Sequence, residues 1–221
     1  MARDWEGAAV GAIGRHDDGA ERLPEAGDER QRQLTRMGNA AWAAGVSYLM
    51  ADRSEEAREW LLRAAERYRE SWAGAPPGSW GRPIGAMKAR LIADDLAGAR
   101  EDARWALDAG AAESQSPIGV YAAVLAWLVL DEDDEAVTFA ESLRDRVDFP
   151  RAVGAALLAL VGANRAAYET AIAELLVDFE AREEFLEDAP VADTVLALQR
   201  LAARRGFAPE LSSERLPRPR P

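Results

Sequence analysis

The sequence predicts an all-α protein, an irregular stack of antiparallel helix pairs with about 8–10 helices. Three observations carry this. Ala, the strongest helix former, occurs 47 times in 221 residues. Apolar residues recur at the three- and four-residue spacing of an amphipathic helix along most of the chain. No stretch alternates apolar and polar residues with the β-branched enrichment of a strand.

Residues 1–29 are read as a loosely attached N-terminal arm. Trp5, Ala8, Ala9 and Ile13 support a short helix, but Gly14 to Asp28 is polar and Gly-rich. Residues 30–211 are read as one helical domain. Its first helix carries Leu34, Met37, Ala41, Ala44 and Tyr48, and Asp52-Arg53-Ser54 breaks it. Ser54 suits an N-cap, and Glu55 and Glu56 suit the positive end of the next helix. That helix has the stripe Ala57, Trp60, Leu61, Ala64, Ala65, Tyr68, Trp72. A Pro/Gly-rich loop follows from Ala73 to Pro83. Further helices span Ile84 to about Ala93 and Leu96 to Ala109. Ser116-Pro117 opens the most apolar helix, with proline in the first turn where its missing donor costs nothing. Three more helices begin at Asp134, Pro150 and Asn164. Asp188-Ala189-Pro190 opens the last, which Gly206 stops. Leu216-Pro217-Arg218-Pro219-Arg220-Pro221 excludes helix, so 212–221 are read as a Pro/Arg tail.

Gly45, Tyr48, Ala57, Leu61 and Ala64 occupy the Gly, aromatic, small, large and small places of a tetratricopeptide helix hairpin, which this pair resembles. Ala99, Ala103 and Ala106 repeat the second-helix spacing, as do Ala136, Ala140 and Leu143. Ala167 and Ala171 repeat its first two places. The intervals of 42, 37 and 31 residues between successive starts are irregular. A tetratricopeptide-like stack of three or four pairs is therefore expected.

Composition narrows the chemistry. The formal net charge is −12, which disfavours binding to phosphate backbones and suits a basic protein partner. The absence of Cys excludes disulfides, thiolate nucleophiles and Cys-ligated zinc, and fits a reducing cytoplasm. Only one His is present, His16, read as an exposed residue of the arm; no His-based metal site can be built. The longest uncharged run, Ser114 to Leu130, holds a proline and is too short to span a bilayer. A soluble cytoplasmic protein without cofactor or metal is expected.

Two Glu-Glu-x-x-Glu clusters, Glu55/Glu56/Glu59 and Glu183/Glu184/Glu187, have the spacing with which helical nucleotide pyrophosphatases hold Mg²⁺. Both are read as solvated helix faces, with Arg58 and Arg182 alongside. The loop with Trp72, Trp80 and Arg82 has the residue types of a binding hot spot, against the alternative that Trp80 is core and Arg82 pairs with a carboxylate. Glu187, Asp188 and Asp193 form the other candidate surface. Asp193 falls within an apolar helix and needs a partner, with Arg82 and Arg151 as candidates. Neither a phosphate-binding Gly loop nor a Gly-x-Ser-x-Gly elbow occurs.

Tyr168 to Pro217 resembles the end of the bacterial immunity protein 49 family. The resemblance rests on an Ala-rich helix, then Phe179 and an acidic run, then the helix Asp193 to Ala202. Arg205-Gly206-Phe207 and the closing stretch Glu210 to Pro217 complete it. It implies a non-enzymatic protein that neutralises a cognate toxin by binding it. A tetratricopeptide-like adaptor, and more remotely a Mg-dependent nucleotide pyrophosphatase, are the alternatives.

Overall fold

The computed structural model describes residues 3–218. They form ten α-helices and no strand: α1 Trp5–Glu21, α2 Gly27–Met50, α3 Ser54–Glu70, α4 Gly81–Ile92, α5 Leu96–Asp108, α6 Pro117–Leu130, α7 Asp133–Asp145, α8 Arg151–Val161, α9 Arg165–Glu180 and α10 Asp193–Arg204. Consecutive helices pack on each other from α1 to α9. Beyond its sequence neighbours, α6 touches α4 and α8, and α10 lies against α4, α8 and α9. The even-numbered helices from α4 to α8 thus form an inner layer, between the odd-numbered helices and α10. Because α6 is central, it is apolar on all sides, and every residue from Gly119 to Val129 is buried.

The turns α2–α3, α4–α5, α6–α7 and α8–α9 share one construction. Each places a residue in the left-handed region: Asp52, Asp94, Asp131 and Ala163, with φ of 61°, 57°, 63° and 48°. The next residue then donates its N–H to the carbonyl five places back. The pairs are Arg53 to Tyr48, Asp95 to Arg90, Glu132 to Trp127 and Asn164 to Ala159, at 2.8–2.9 Å. This closure satisfies carbonyls that the helix end leaves free. Asp tolerates the left-handed region better than most side chains.

Small residues set the helix separation. A Cβ on Gly45 would lie 2.7 Å from Leu61 Cγ and 2.9 Å from the Leu61 backbone nitrogen, so α2 and α3 meet there only because it is glycine. The alanines of the spacing pattern on α3, α5 and α7 are all buried, whereas Ala167 on α9 is exposed.

Long-range ion pairs join the layers. Asp102 on α5 is fully buried and accepts from Arg69 of α3 (2.7 Å) and Arg90 of α4 (2.6 Å). Arg90 also donates to Asp95, whose carboxylate caps the first turn of α5 through the Gly98 N–H. Burial pushes the Asp102 carboxyl above its usual range, against the pull of both guanidiniums.

One expectation is corrected. Of the segment 1–29, read as a loose arm, the described residues 3–29 are packed: α1 buries Ala9, Ala12, His16 and Gly19, and packs on α2. The C-terminal tail carries no helix as far as it is described, and this part of it packs on the domain. Leu216 is buried, the Arg215 carbonyl accepts from Ala192 N–H (2.9 Å), and Ser213 donates to Glu180 (2.6 Å). The remainder of that tail, 219–221, lies outside the described residues.

Asp131 offers a test. Its carboxylate faces Arg100 (2.5 Å), Arg204 (2.9 Å) and Arg205 (4.0 Å). Burial pushes its pKa upward, but the three arginines outweigh this and hold it below the usual range. A depressed folded pKa stabilises above the unfolded value and loses that contribution as pH falls. Asn keeps the left-handed turn and removes the charge. Asp131→Asn is therefore expected to cost under about 1 kcal/mol at pH 7 after solvent screening, or about 2–4 °C in melting. In melts followed by circular dichroism, the gap should close below about pH 4.

Candidate functional site

Three groups of side chains occupy the positions singled out by sequence. The first surrounds the loop between α3 and α4. Gly74 and Gly78 take positive φ (80° and 79°), which turns the chain back so that Trp80 enters the core. Its indole nitrogen lies 2.8 Å from where a Cβ on Gly119 would stand, so the α6 N-terminus accepts it only because Gly119 is bare. Half-buried Trp72 bridges Trp80 and Trp105, at ring distances of 5.7 and 5.5 Å, and Arg69 covers Trp105. Trp80 is thus packing, and an edge of Trp72 is what this cluster leaves to solvent. Arg82 is buried as well. It does not pair with a carboxylate, but donates to Gln31 and to the Thr35 hydroxyl (3.2 Å), both on α2. Burial without a counter-charge lowers its pKa, and its Nη1 has no partner.

The second group closes α10 onto α4. Asp193 pairs with Lys88 at 2.6 Å, and Lys88 also donates to Thr194 (2.9 Å). Neither Arg82 nor Arg151, the expected partners, is used. Tyr121 of α6 lies beside this pair, with its hydroxyl buried, and burial together with the Asp193 charge raises its pKa. Tyr68 is affected in the same way by burial, Asp193 and Glu187, while its hydroxyl donates to Asn39 (3.0 Å).

The third group ties the N-terminal segment and α1 to the turn that precedes α10. Glu187 accepts from Arg15 (3.1 Å), and the Asp188 carbonyl accepts from Arg3 (2.5 Å). Both residues take positive φ, 53° and 54°, in a short 3-10 turn packed on α2. The sequence candidates therefore do not converge on one surface. Trp72 and Trp80 meet, and Asp193 and Glu187 both act on Tyr68, whereas Arg82 serves a separate contact with α2.

The carboxylate clusters are also internally engaged. Glu56 pairs with Arg53, and Glu59 with Arg63 (2.9 Å). Glu183 and Glu184 lie in the loop after α9, not on a helix, so they do not share a helix face with Glu187. No group of three His, Asp or Glu among the described residues has the geometry to hold a metal ion. His16, expected to be exposed, is buried edge-on against Trp60 at 5.3 Å, with Nδ1 2.9 Å from Asp17. No helix among the described residues is long and apolar enough to cross a membrane.

Sequence reasoning missed Lys88, Thr194 and the Asp102 network. Lys88 carried a signal: it is the one lysine beside 26 arginines. The Asp102 network carried none, because its members are scattered among many similar Arg and Asp residues. Comparison of the chain with protein-family models, curated proteins and solved structures gives no match.

The Lys88–Asp193 pair is mostly shielded, with side chains 12% and 18% exposed. Removing one member leaves a poorly solvated charge. Asp193→Ala is expected to destabilise by about 3 kcal/mol, and Lys88→Met with Asp193→Ala to recover most of that. Urea melts of the single and double variants check the pairing. Trp80→Ala should cost about 3–5 kcal/mol through the cavity it leaves, with far-ultraviolet circular dichroism retained below the transition.

Proposed function

We propose that the chain is a non-catalytic protein-binding protein that neutralises a basic toxin in the manner of an immunity protein. The observation that supports this best is the distribution of charge. The tryptophans, the buried histidine and most arginines are spent on internal contacts, while the excess negative charge stands free on the outer layer. Asp134 and Glu135 on α7, and Glu174 and Asp178 on α9, are exposed and make no ion pair. Val137 and Val177 are exposed among them, at 36% and 60%. Free carboxylates around small apolar contacts suit a cationic protein surface, where complementarity speeds encounter and fixes register. The resemblance of Tyr168–Pro217 to the immunity protein 49 family points the same way. A cytoplasmic location agrees with the absence of Cys from the sequence.

The shared construction of the four hairpin turns favours a second reading, a tetratricopeptide-like scaffold. Such scaffolds recognise peptides along their inner helices. Here α10 packs against inner helices α4 and α8, so a groove-binding adaptor is supported less well.

The test is affinity capture from the native source, with wild type and a Glu135→Lys/Glu174→Lys/Asp178→Lys variant in parallel. One basic protein should be retained by wild type, weakened by salt, and bound at least about tenfold more weakly by the variant. Purified together, the chain should abolish that partner's toxic activity. A partner without excess positive charge, or one held equally by the variant, would exclude this reading.

A further inference from the structure

Two adjoining clefts of about 410 and 400 Å³ open where the α2–α3 and α4–α5 turns meet α10 and the C-terminal segment. They share Leu49, Ile92, Arg200 and Pro217, so the two clefts adjoin along these residues. The floor is aliphatic: Leu61, Ile92 and Leu216 are buried, and Leu196 is half-buried. Arg58 from α3, Arg200 from α10 and Arg218 from the C-terminal segment reach the space from three different elements.

These arginines stand apart from the rest. Arg58, Arg200 and Arg218 make no hydrogen bond, ion pair or ring contact within the chain, and among the other described arginines only Arg104 and Arg151 share that state. Ser54 adds an independent sign. It lines the same space at the first turn of α3, and its hydroxyl is buried without a partner. No side chain caps α3, so its first N–H groups are also unclaimed by a cap. The carboxylates at the rim are Asp52, already engaged, and Asp94 and Glu210, none of which pairs with the three guanidiniums.

We propose that this cleft binds an amphipathic carboxylate, with its single negative charge on Arg58, Arg200 and Arg218 and its aliphatic body along the Leu61–Leu196 floor. The volume suits a small ligand. The lining has no aromatic ring on which a nucleobase would stack. The net charge of −12 penalises a multiply charged phosphate more than a monoanion. This inference does not depend on the protein-binding reading, since no residue of α7 or α9 lines the cleft.

Decanoate is the probe, titrated by calorimetry and by ¹H–¹⁵N correlation spectra. Binding should saturate at one molecule per chain, with shifts at Leu49, Leu61 and Leu196. The uncharged methyl ester should fail to compete. Arg58→Gln/Arg200→Gln should weaken decanoate by about tenfold or more, the loss expected for charge-assisted hydrogen bonds. Both positions are exposed and unpaired, so melting should be unchanged, and Arg104→Gln/Arg151→Gln serves as the control. Non-saturating binding, equal affinity in the double variant, or inorganic phosphate binding as tightly as decanoate would each overturn the proposal.

Discussion

The arrangement of the molecule depends on α10 lying across the inner layer. Leu198 and Leu201 on this helix are fully buried, and apolar contact supplies most of what holds it. The Lys88–Asp193 pair contributes less net energy than orientation, because desolvation offsets much of its attraction. A single ion pair at the first turn of α10, with Thr194 as second acceptor for Lys88, fixes which residues of α10 meet α4. The Arg204 and Arg205 contacts to the α6–α7 turn fix its other end. Once the helix is seated, the inner layer is closed to a long peptide. What remains exposed is the surface of the outer helices and the rim where α10 meets the hairpin turns.

Alanine and glycine make that seating possible. Their small volumes bring helix backbones close, so dispersion between the helices replaces the filling that larger side chains would give. The remaining gaps are filled by a few large residues at fixed places. Leu61 lies against Gly45, Tyr68 between Gly38 and Gly85, and Trp80 against Gly119. A large residue opposite a glycine is intolerant of change on both sides, since neither partner can grow or shrink without a clash or a cavity.

Helix positions were legible in the sequence because they rest on local periodicity. The Ala57–Trp72 stripe, Ser116-Pro117 and Asn164 all mark real elements or their caps. The packing of α1 was not legible, although Ala9, Ala12, His16 and Gly19 fall on one helix face. Two of those four carry no hydrophobic side chain, so the stripe has little hydropathic contrast. The left-handed Asp52, Asp94 and Asp131 read only as polar breaks, since their shared geometry is a property of φ rather than of residue type. The candidate surfaces failed for another reason. Trp80, Arg82 and Asp193 were recognised as unusual, but whether an unusual residue faces solvent or a partner helix depends on contacts across up to about a hundred residues of sequence. Such pairings leave no periodic trace.

Charge that remains after internal pairing is the part of the molecule most open to function. Arginine serves here mainly as a connector between helices, and its planar donor fork suits that task. Arg69 and Arg90 meet on Asp102, while Arg100 and Arg204 meet on Asp131. Against this pattern the unpaired guanidiniums are few, and three of the five, Arg58, Arg200 and Arg218, line the cleft beside α10. Unpaired carboxylates are many and spread over several helices, with Asp134, Glu135, Glu174 and Asp178 on α7 and α9 among them. An unpaired exposed charge costs little in stability, so packing does not dictate where it stands. The two proposed roles follow this distribution: α7 and α9 for a cationic protein surface, and the arginine cleft for a small organic anion.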